Sequence, residues 1–252
     1  EGFVSLDDPN ANDPVEGGTG TIDGGLTWML TKAGTLKISG SGAMKDFSQA
    51  DPAPWKDLSP ISTIVIEEGV TSIGNYAFYE SPALSVYLPD GLTSIGENAF
   101  YKSGLINVTI PSSVKNIGNN AFYESASLIS VSVTNVLKPD GLEIIGKEAF
   151  YGCTSLTYMD FPASITEIGY GAFMSCSNMV RVRFMPGSKN VTIGDNVFSG
   201  CRNLMNVTLP QTASYISAGM FQSCTLLDKL YIPKSVQTIG ERAFSSCKMG
   251  MV

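Results

Sequence analysis

The sequence contains no histidine, so it lacks the commonest general base and the commonest protein ligand for metal ions. It also lacks any apolar run that approaches the roughly 20 residues of a membrane-spanning helix. Charged residues make up only 15% of the 252 positions, and acidic side chains outnumber basic ones by 23 to 16. Since the net charge is −7, no basic field attracts nucleic acid or an anionic membrane surface. We therefore predict neither nucleic acid as a partner nor insertion into a membrane.

The sequence motifs that usually carry catalysis are also missing. There is no glycine-rich phosphate loop after a strand, no serine-centred elbow and no pair of carboxylates outside the variable loops. The five cysteines have no histidine to activate them as nucleophiles, and their spacing is not that of metal ligands. We therefore predict a protein without enzymatic activity, cofactor or bound metal.

One nine-residue unit recurs along most of the chain. Residues 70–78 return as residues 92–100 and 114–122, and five further copies end at residues 236–244. The isoleucine of the unit lies at positions 73, 95, 117, 145, 168, 193, 216 and 239. A period in the low twenties suits one strand and one tight return per repeat, as in leucine-rich-repeat solenoids. We therefore predict about eight stacked coils.

Each coil contains two kinds of segment. The first alternates apolar and polar residues, which predicts a strand with one buried face. The second runs Ile-Gly-Asn-x-Ala-Phe; its glycine is expected to have a positive φ, and its Ala-Phe part is interpreted as one helical turn. The fold predicted is an α/β-type right-handed superhelix, with a parallel β-sheet on one face and short helical turns and loops opposite. The phenylalanines predicted to form a continuous buried column are Phe78, Phe100, Phe122, Phe150, Phe173, Phe198, Phe221 and Phe244.

The chain divides into three predicted parts. Residues 1–20 carry five acids and no base, which predicts a flexible acidic leader; a calcium loop is the less favoured interpretation of its Asp and Asn residues. In residues 21–60, alternation on either side of Gly34 predicts a β-hairpin that caps the first coil, with Trp55 buried beneath it. Residues 61–252 form the leucine-rich repeat domain. Two longer coils carry insertions at 134–141 and 185–190, which are expected to form loops on one edge, either near a binding face or without function.

The cysteines occupy one position of the repeat. Each lies three residues after the conserved phenylalanine of its coil, where the first three coils have Ser81, Ser103 and Ser125. Such a stacked interior position suits a small buried side chain, and stacked side chains point the same way, which disfavours disulfide geometry. We predict reduced thiols at Cys153, Cys176, Cys201, Cys224 and Cys247.

The repeat resembles that of a known family. The unit Leu-x-x-Val-x-Leu/Ile-Pro, followed by Ile-Gly-x-x-Ala-Phe-x-x-Cys/Ser, resembles the leucine-rich repeat of BspA-like bacterial surface proteins. The opening segment, which includes Leu26-Thr-Trp28 and Ala53-Pro-Trp55, is similar to the segment that precedes such repeats. The resemblance implies an extracellular or cell-surface protein, from which a signal peptide has been removed, that binds host matrix or bacterial surface proteins. It implies no particular binding residue.

Candidate binding residues come instead from the outward positions of the predicted strands. In the first half of the repeat domain these positions carry mostly small and neutral side chains. The second half gathers tyrosine and arginine, which are enriched at binding hot spots. The alternative is that these residues are ordinary solvated strand residues. The predicted ligand-binding face consists of Tyr87, Tyr158, Asp160, Arg181, Arg183, Lys229 and Tyr231.

Three functions fit this pattern. The first is a protein-binding or adhesion module that presents an open β-sheet face. The second is a carbohydrate-binding module, in which exposed tyrosines such as Tyr87, Tyr158 and Tyr231 stack on sugar rings. The third is a structural spacer that carries another surface domain.

Overall fold

The computed structural model describes residues 10–23, 25–137, 140–188 and 190–248. Within these residues every regular element is a β-strand, and two strands alternate along each typical coil. In chain order the strands are β1 (Pro14–Ile22), β2 (Leu26–Thr31), β3 (Thr35–Gly40), β4 (Gly42–Ala43), β5 (Thr63–Ile66), β6 (Val70–Ile73), β7 (Ser85–Tyr87), β8 (Ser94–Ile95), β9 (Asn107–Ile110), β10 (Asn116–Ile117), β11 (Ser130–Val133), β12 (Ile144–Ile145), β13 (Tyr158–Phe161), β14 (Glu167–Ile168), β15 (Arg181–Phe184), β16 (Thr192–Ile193), β17 (Asn206–Thr208), β18 (Tyr215–Ile216) and β19 (Thr238–Ile239).

The coils form a solenoid with parallel sheets on two sides. The front sheet follows the order β1-β2-β3-β5-β7-β9-β11, and β13-β15-β17 form a separate front sheet of three strands. The rear sheet runs from β4 through every second strand to β16, and β18 pairs with β19. The solenoid of about eight coils was predicted correctly. The rear sheet was not predicted, because its strands are only two to four residues long and too short to show alternation.

The predicted hairpin is present and continues the solenoid. Strands β2 and β3 pair antiparallel, and β3 pairs parallel with β5 of the first coil. Strand β1 adds a further antiparallel partner to β2. The prediction of a flexible leader over residues 1–20 is therefore corrected for residues 14–20, which satisfy the backbone groups on the free edge of β2. Asp7 and Asp8 lie outside the described residues.

The Ala-Phe segments are turns, and the prediction of short helical turns is not confirmed. Alternate backbone N–H groups in these segments donate to carbonyls of the following coil: Tyr76 to Glu97 at 2.9 Å, Phe78 to Ala99 at 2.8 Å. Tyr76 itself has a φ of 55°, and the same positive sign recurs at this position in later coils. The N–H groups between these donors bond within the coil, as Tyr79 does to Tyr76 at 3.3 Å, so the segment forms single turns joined to the next coil, without the continuous bonds of a helix. Among the described residues, no helix is long and apolar enough to cross a membrane.

The glycine of Ile-Gly is required for a reason different from the one predicted. Gly96 and Gly118 do not have a positive φ, but a Cβ on Gly96 would lie 2.6 Å from the backbone nitrogen of Asn75 in the preceding coil. Consecutive backbones therefore approach too closely for any side chain. In the seventh coil Ser217 occupies this position, and there the rear ladder is interrupted between β16 and β18.

The core is the predicted column of phenylalanine rings. Neighbouring rings from Phe78 to Phe244 are stacked with centroids 5.0 to 5.8 Å apart. All are buried except Phe244, which is partly buried. Trp55 continues the column into the cap, since its ring stacks on Phe78 at 5.6 Å and is 2% exposed. The predicted burial of Trp55 is therefore confirmed.

The cysteines form a second internal column, as predicted. All five are free thiols; four are buried and Cys247 is partly exposed. Each sulfur lies within hydrogen-bonding distance of the phenylalanine carbonyl of the preceding coil, as for Cys153 Sγ and Phe122 O at 3.1 Å. Ser125 makes the equivalent bond to the carbonyl of Phe100 at 2.8 Å. A cysteine thiol and a serine hydroxyl therefore donate to the equivalent phenylalanine carbonyl in different coils.

Candidate binding face

The three-stranded front sheet begins at the longest coil. Strand β11 ends at Val133, and the insertion at 134–141 separates it along the chain from β13. In this insertion Val136 accepts a hydrogen bond from the backbone of Ala163 at 2.8 Å, so the added chain packs beside the front face. Lys138 and Pro139, and Lys189 of the second insertion, lie outside the described residues. The strand ladder is interrupted there, but Thr157, just before β13, still donates to Ile129 of the preceding coil at 3.1 Å, so β13-β15-β17 continue the front face.

Four of the seven predicted face residues meet on this surface. Alternation along β13 points Met159 and Phe161 into the core, so Tyr158 and Asp160 face outward. On β15 the same alternation turns Arg181 and Arg183 outward. The parallel register sets Tyr158 beside Arg181, and Asp160 beside Arg183.

Asp160 holds both guanidinium groups. Nη2 of Arg181 donates to its carboxylate at 3.3 Å to Oδ1 and 3.2 Å to Oδ2, and Nη2 of Arg183 donates to Oδ2 at 2.7 Å. The guanidinium carbon of Arg181 also lies 5.1 Å from the ring centroid of Tyr158. Both arginine side chains remain 45% exposed, whereas Asp160 is 20% exposed. Ion pairs this exposed add little stability, so their main effect is to fix the direction of the arginines.

The other three predicted residues lie elsewhere. Tyr87 is 63% exposed, but it belongs to the seven-stranded sheet and lies three coils before β13, which corresponds to about 14 Å at the usual strand spacing. Thr134 of the insertion and Tyr87 line the same hollow of that sheet. Tyr87 therefore lies on the front face but out of contact with the arginines.

The strand predicted at residues 228–232 is absent. Lys229 and Tyr231 lie in an irregular segment between β18 and β19, where both are exposed, and Tyr231 is 65% exposed. Leu230 and Ile232, which should anchor such a strand, are only partly buried. Because the inward side chains find less to pack against, the alternation does not hold this segment in the sheet.

A tyrosine ladder was missed by the sequence analysis. Tyr79, Tyr101, Tyr123 and Tyr151 stack with successive centroids 4.8, 4.9 and 4.7 Å apart. Partial burial raises the pKa of Tyr101 and of Tyr123 above the ordinary value. The available signal was the tyrosine directly after the phenylalanine in four consecutive coils. The rings cover one another's faces, so the ladder mainly stabilises the corner of the stack.

No group of three or more acidic or cysteine side chains is arranged to hold a metal ion in the part of the chain that the structure describes. The outer face of β13 and β15 carries two exposed cations, a carboxylate that orients them and an aromatic ring.

A family model of the BspA type leucine rich repeat region, present in six copies, matches residues 55–138 and 130–250. The chain belongs to the BspA-type leucine-rich repeat family. Comparison with curated proteins gives no match. Among solved structures, this BspA-type chain is similar to a leucine rich repeat protein of T. pallidum, with 26% identity over 90% of this chain and 89% of the other and a TM-score of 0.59. That similarity supports the repeat fold seen here.

Two further solved structures have lower similarity. A leucine rich cell surface protein of Faecalibacterium prausnitzii A2-165 has 22% identity over 91% of this chain and 92% of its own, with a TM-score of 0.45. A leucine-rich repeat protein of Eubacterium ventriosum has 22% identity over 93% of this chain and 96% of its own, with a TM-score of 0.35.

Proposed function

We propose that this BspA-type repeat protein is a non-enzymatic protein-binding or adhesion module that recognises its partner through the outer face of β13 and β15. The observation that carries the proposal is the pair of exposed arginines that Asp160 holds in fixed directions. Side chains fixed before binding lose less entropy when a partner arrives. Arginine beside a half-buried tyrosine is also the composition of binding hot spots.

The contrast with the rest of the front face supports this location. The outward positions of β5, β7, β9 and β11 carry no charged side chain. Arg181 and Arg183 therefore stand out from the four front strands before them, in a chain whose net charge is −7. Leucine-rich repeats typically serve as protein-interaction modules, which agrees with a protein partner.

We place the module outside the cell, at the bacterial surface, with host matrix or bacterial surface proteins as its partners. This location follows the family to which the repeats belong. The carbohydrate-binding alternative now depends on tyrosines that lie on three different parts of the front face. The spacer alternative predicts no ligand at the arginine pair at all.

The proposal is tested by binding of the full chain to a panel of purified matrix and bacterial surface proteins on a sensor chip, beside a glycan array. The variant replaces Arg181, Arg183 and Tyr158, which meet on β13 and β15, with alanine. The control is Arg202→Ala with Arg242→Ala, because both are exposed cations in turn segments away from β13 and β15. We expect a protein ligand that the triple variant loses and the control keeps. Binding to glycans alone, or unchanged binding by the triple variant, would reject the proposal.

A further inference from the structure

Arg181 and Arg183 are alternate residues of one strand. Their side chains therefore leave the sheet on the same side, about 6.6 Å apart along β15 at the usual rise per residue. The neighbouring outward residues on β17 are Asn206 and Thr208, which are exposed and uncharged. The two cations thus form a short row with a defined spacing.

The two arginines keep N–H donors that make no hydrogen bond in the described structure. A guanidinium offers five N–H donors, and in the described structure both arginines contact Asp160 through Nη2. One carboxylate also leaves one of the two positive charges uncompensated. Nε and Nη1 of each arginine keep N–H groups that a carboxylate from outside can accept, and each such contact is a charge-assisted hydrogen bond.

We propose that the face of β13 and β15 binds an extended acidic segment of a partner protein, with carboxylates at alternate positions, one for each arginine. This inference rests on the proposed protein-binding function and names the chemistry of the partner. An extended chain turns every second side chain to the same side at a repeat of about 6.6 Å, which equals the spacing of Arg181 and Arg183. Adjacent carboxylates would point to opposite sides and reach only one arginine.

The spacing of carboxylates along the peptide distinguishes this proposal from attraction by charge alone. Two labelled peptides of equal length and composition serve as probes, one with glutamate and threonine alternating and one with the same residues in blocks of two. A third peptide replaces every glutamate with glutamine. We expect the alternating peptide to bind about tenfold more tightly than the block peptide, since one lost charge-assisted pair costs at least about 1.4 kcal/mol. Affinity for the alternating peptide should fall as salt is raised, and the glutamine peptide should not bind.

Variants assign the binding to the two arginines. Arg181→Gln with Arg183→Gln should weaken the alternating peptide by about tenfold or more, while Arg202→Gln with Arg242→Gln, which removes the same charge elsewhere, should stay within about twofold. Equal thermal unfolding midpoints of the two double variants exclude loss of folding as the cause. A heparin tetrasaccharide is tested in parallel.

Three results would overturn the proposal. Equal affinity for alternating and block peptides would show that charge alone attracts the peptide, without a match between the spacing of its carboxylates and that of the arginines. Binding of heparin through the arginines, without binding of the peptide, would identify a sulfated glycan as the partner. Absence of peptide binding, together with a folded protein ligand that still needs Arg181 and Arg183, would remove the acidic segment and leave the proposed function standing.

Discussion

The indole Nε1 of Trp55 donates a hydrogen bond to the backbone carbonyl of Ala77 at 2.8 Å. In the next coil the equivalent carbonyl, that of Ala99, accepts from the backbone N–H of Phe78 in the coil before it, also at 2.8 Å. The first repeat has no such coil before it, so a side chain of the cap supplies the donor. Lys56 Nζ does the same for the carbonyl of Tyr79 at 2.8 Å. The cap therefore completes the hydrogen-bond ladder as well as covering the core.

Trp55→Phe tests the cap. The phenyl ring can still stack on Phe78, but the buried carbonyl of Ala77 loses its donor. We expect a loss of about 1–3 kcal/mol in the free energy of unfolding, which is the usual cost of an unsatisfied buried polar group, plus a smaller packing loss. Urea unfolding followed by circular dichroism measures it. Trp28→Phe is the control, because Trp28 is 6% exposed and contacts Trp55 edge-on but does not bond to Ala77. An equal loss of stability in both variants would contradict the role of the hydrogen bond.

Gly118→Ala tests the close approach of consecutive coils. Its Cβ would lie 2.7 Å from the backbone nitrogen of Glu97, and backbone cannot move aside as a side chain can. We expect a loss of about 1–3 kcal/mol or more, as for overpacked cores. Gly91→Ala should change little, since nothing lies within 4 Å of a Cβ there. Calorimetric midpoints of both variants check the prediction, and a small effect at both glycines would contradict it.

Position along the phenylalanine column should set the cost of removing a ring. Phe122 is fully buried with stacked neighbours at 5.2 and 5.0 Å, whereas Phe244 is only partly buried. Phe122→Ala should cost about 3–5 kcal/mol through loss of buried surface and formation of a cavity. Phe244→Ala should cost clearly less. Equal costs in urea unfolding would show that the column does not act through burial.

The thiol column should make the fold sensitive to alkali. Burial raises the pKa of Cys153, Cys176, Cys201 and Cys224, so the folded state keeps these thiols protonated at a pH where the unfolded chain ionises, near 8.5. Their contribution to stability is therefore complete below that pH and declines as the pH rises above it. Between pH 8.5 and 10 the decline should reach about 2 kcal/mol for a fully buried thiol.

Cys153→Ser provides the matched test. Serine fits this position in the preceding coil, where Ser125 Oγ donates to the carbonyl of Phe100, so the bond to the carbonyl of Phe122 should survive the change. We expect a smaller alkaline loss of stability than in the unaltered chain, measured as unfolding midpoints at pH 8 and pH 10. Cys153→Ala, which loses the donor, should be less stable at pH 8. An unchanged alkaline loss in Cys153→Ser would contradict the role of this thiol.

The tandem pattern made much of this molecule predictable. The period of the Ile-Gly unit predicted the number of coils, the alternation around residues such as Val108 predicted the buried face of the front strands, and the position of Cys153 beside the serines of earlier coils predicted a buried free thiol. These features repeat, so each coil supplied independent support for the same interpretation.

Features that arise between coils could not be read from one coil. The glycine pattern was visible, but its cause is the backbone of the neighbouring coil, as at Gly96 and Asn75. The Ala-Phe segment looked helical because its hydrogen-bond partners, such as Ala99 for Phe78, lie 21 residues away along the chain. Residues 14–20 looked mobile because their strand partner, β2, follows a turn that the leader itself does not specify.

The sequence by itself determined a stack of about eight coils with an internal phenylalanine column and free thiols, because burial in a repeat is a local property of each coil. The tertiary structure decided which exposed residues lie together. It joined Arg181 and Arg183 to Asp160 on one three-stranded sheet, placed Tyr87 three coils away, and left Tyr231 outside any strand. The register between coils decides these positions, and it depends on the pairing of segments more than 20 residues apart.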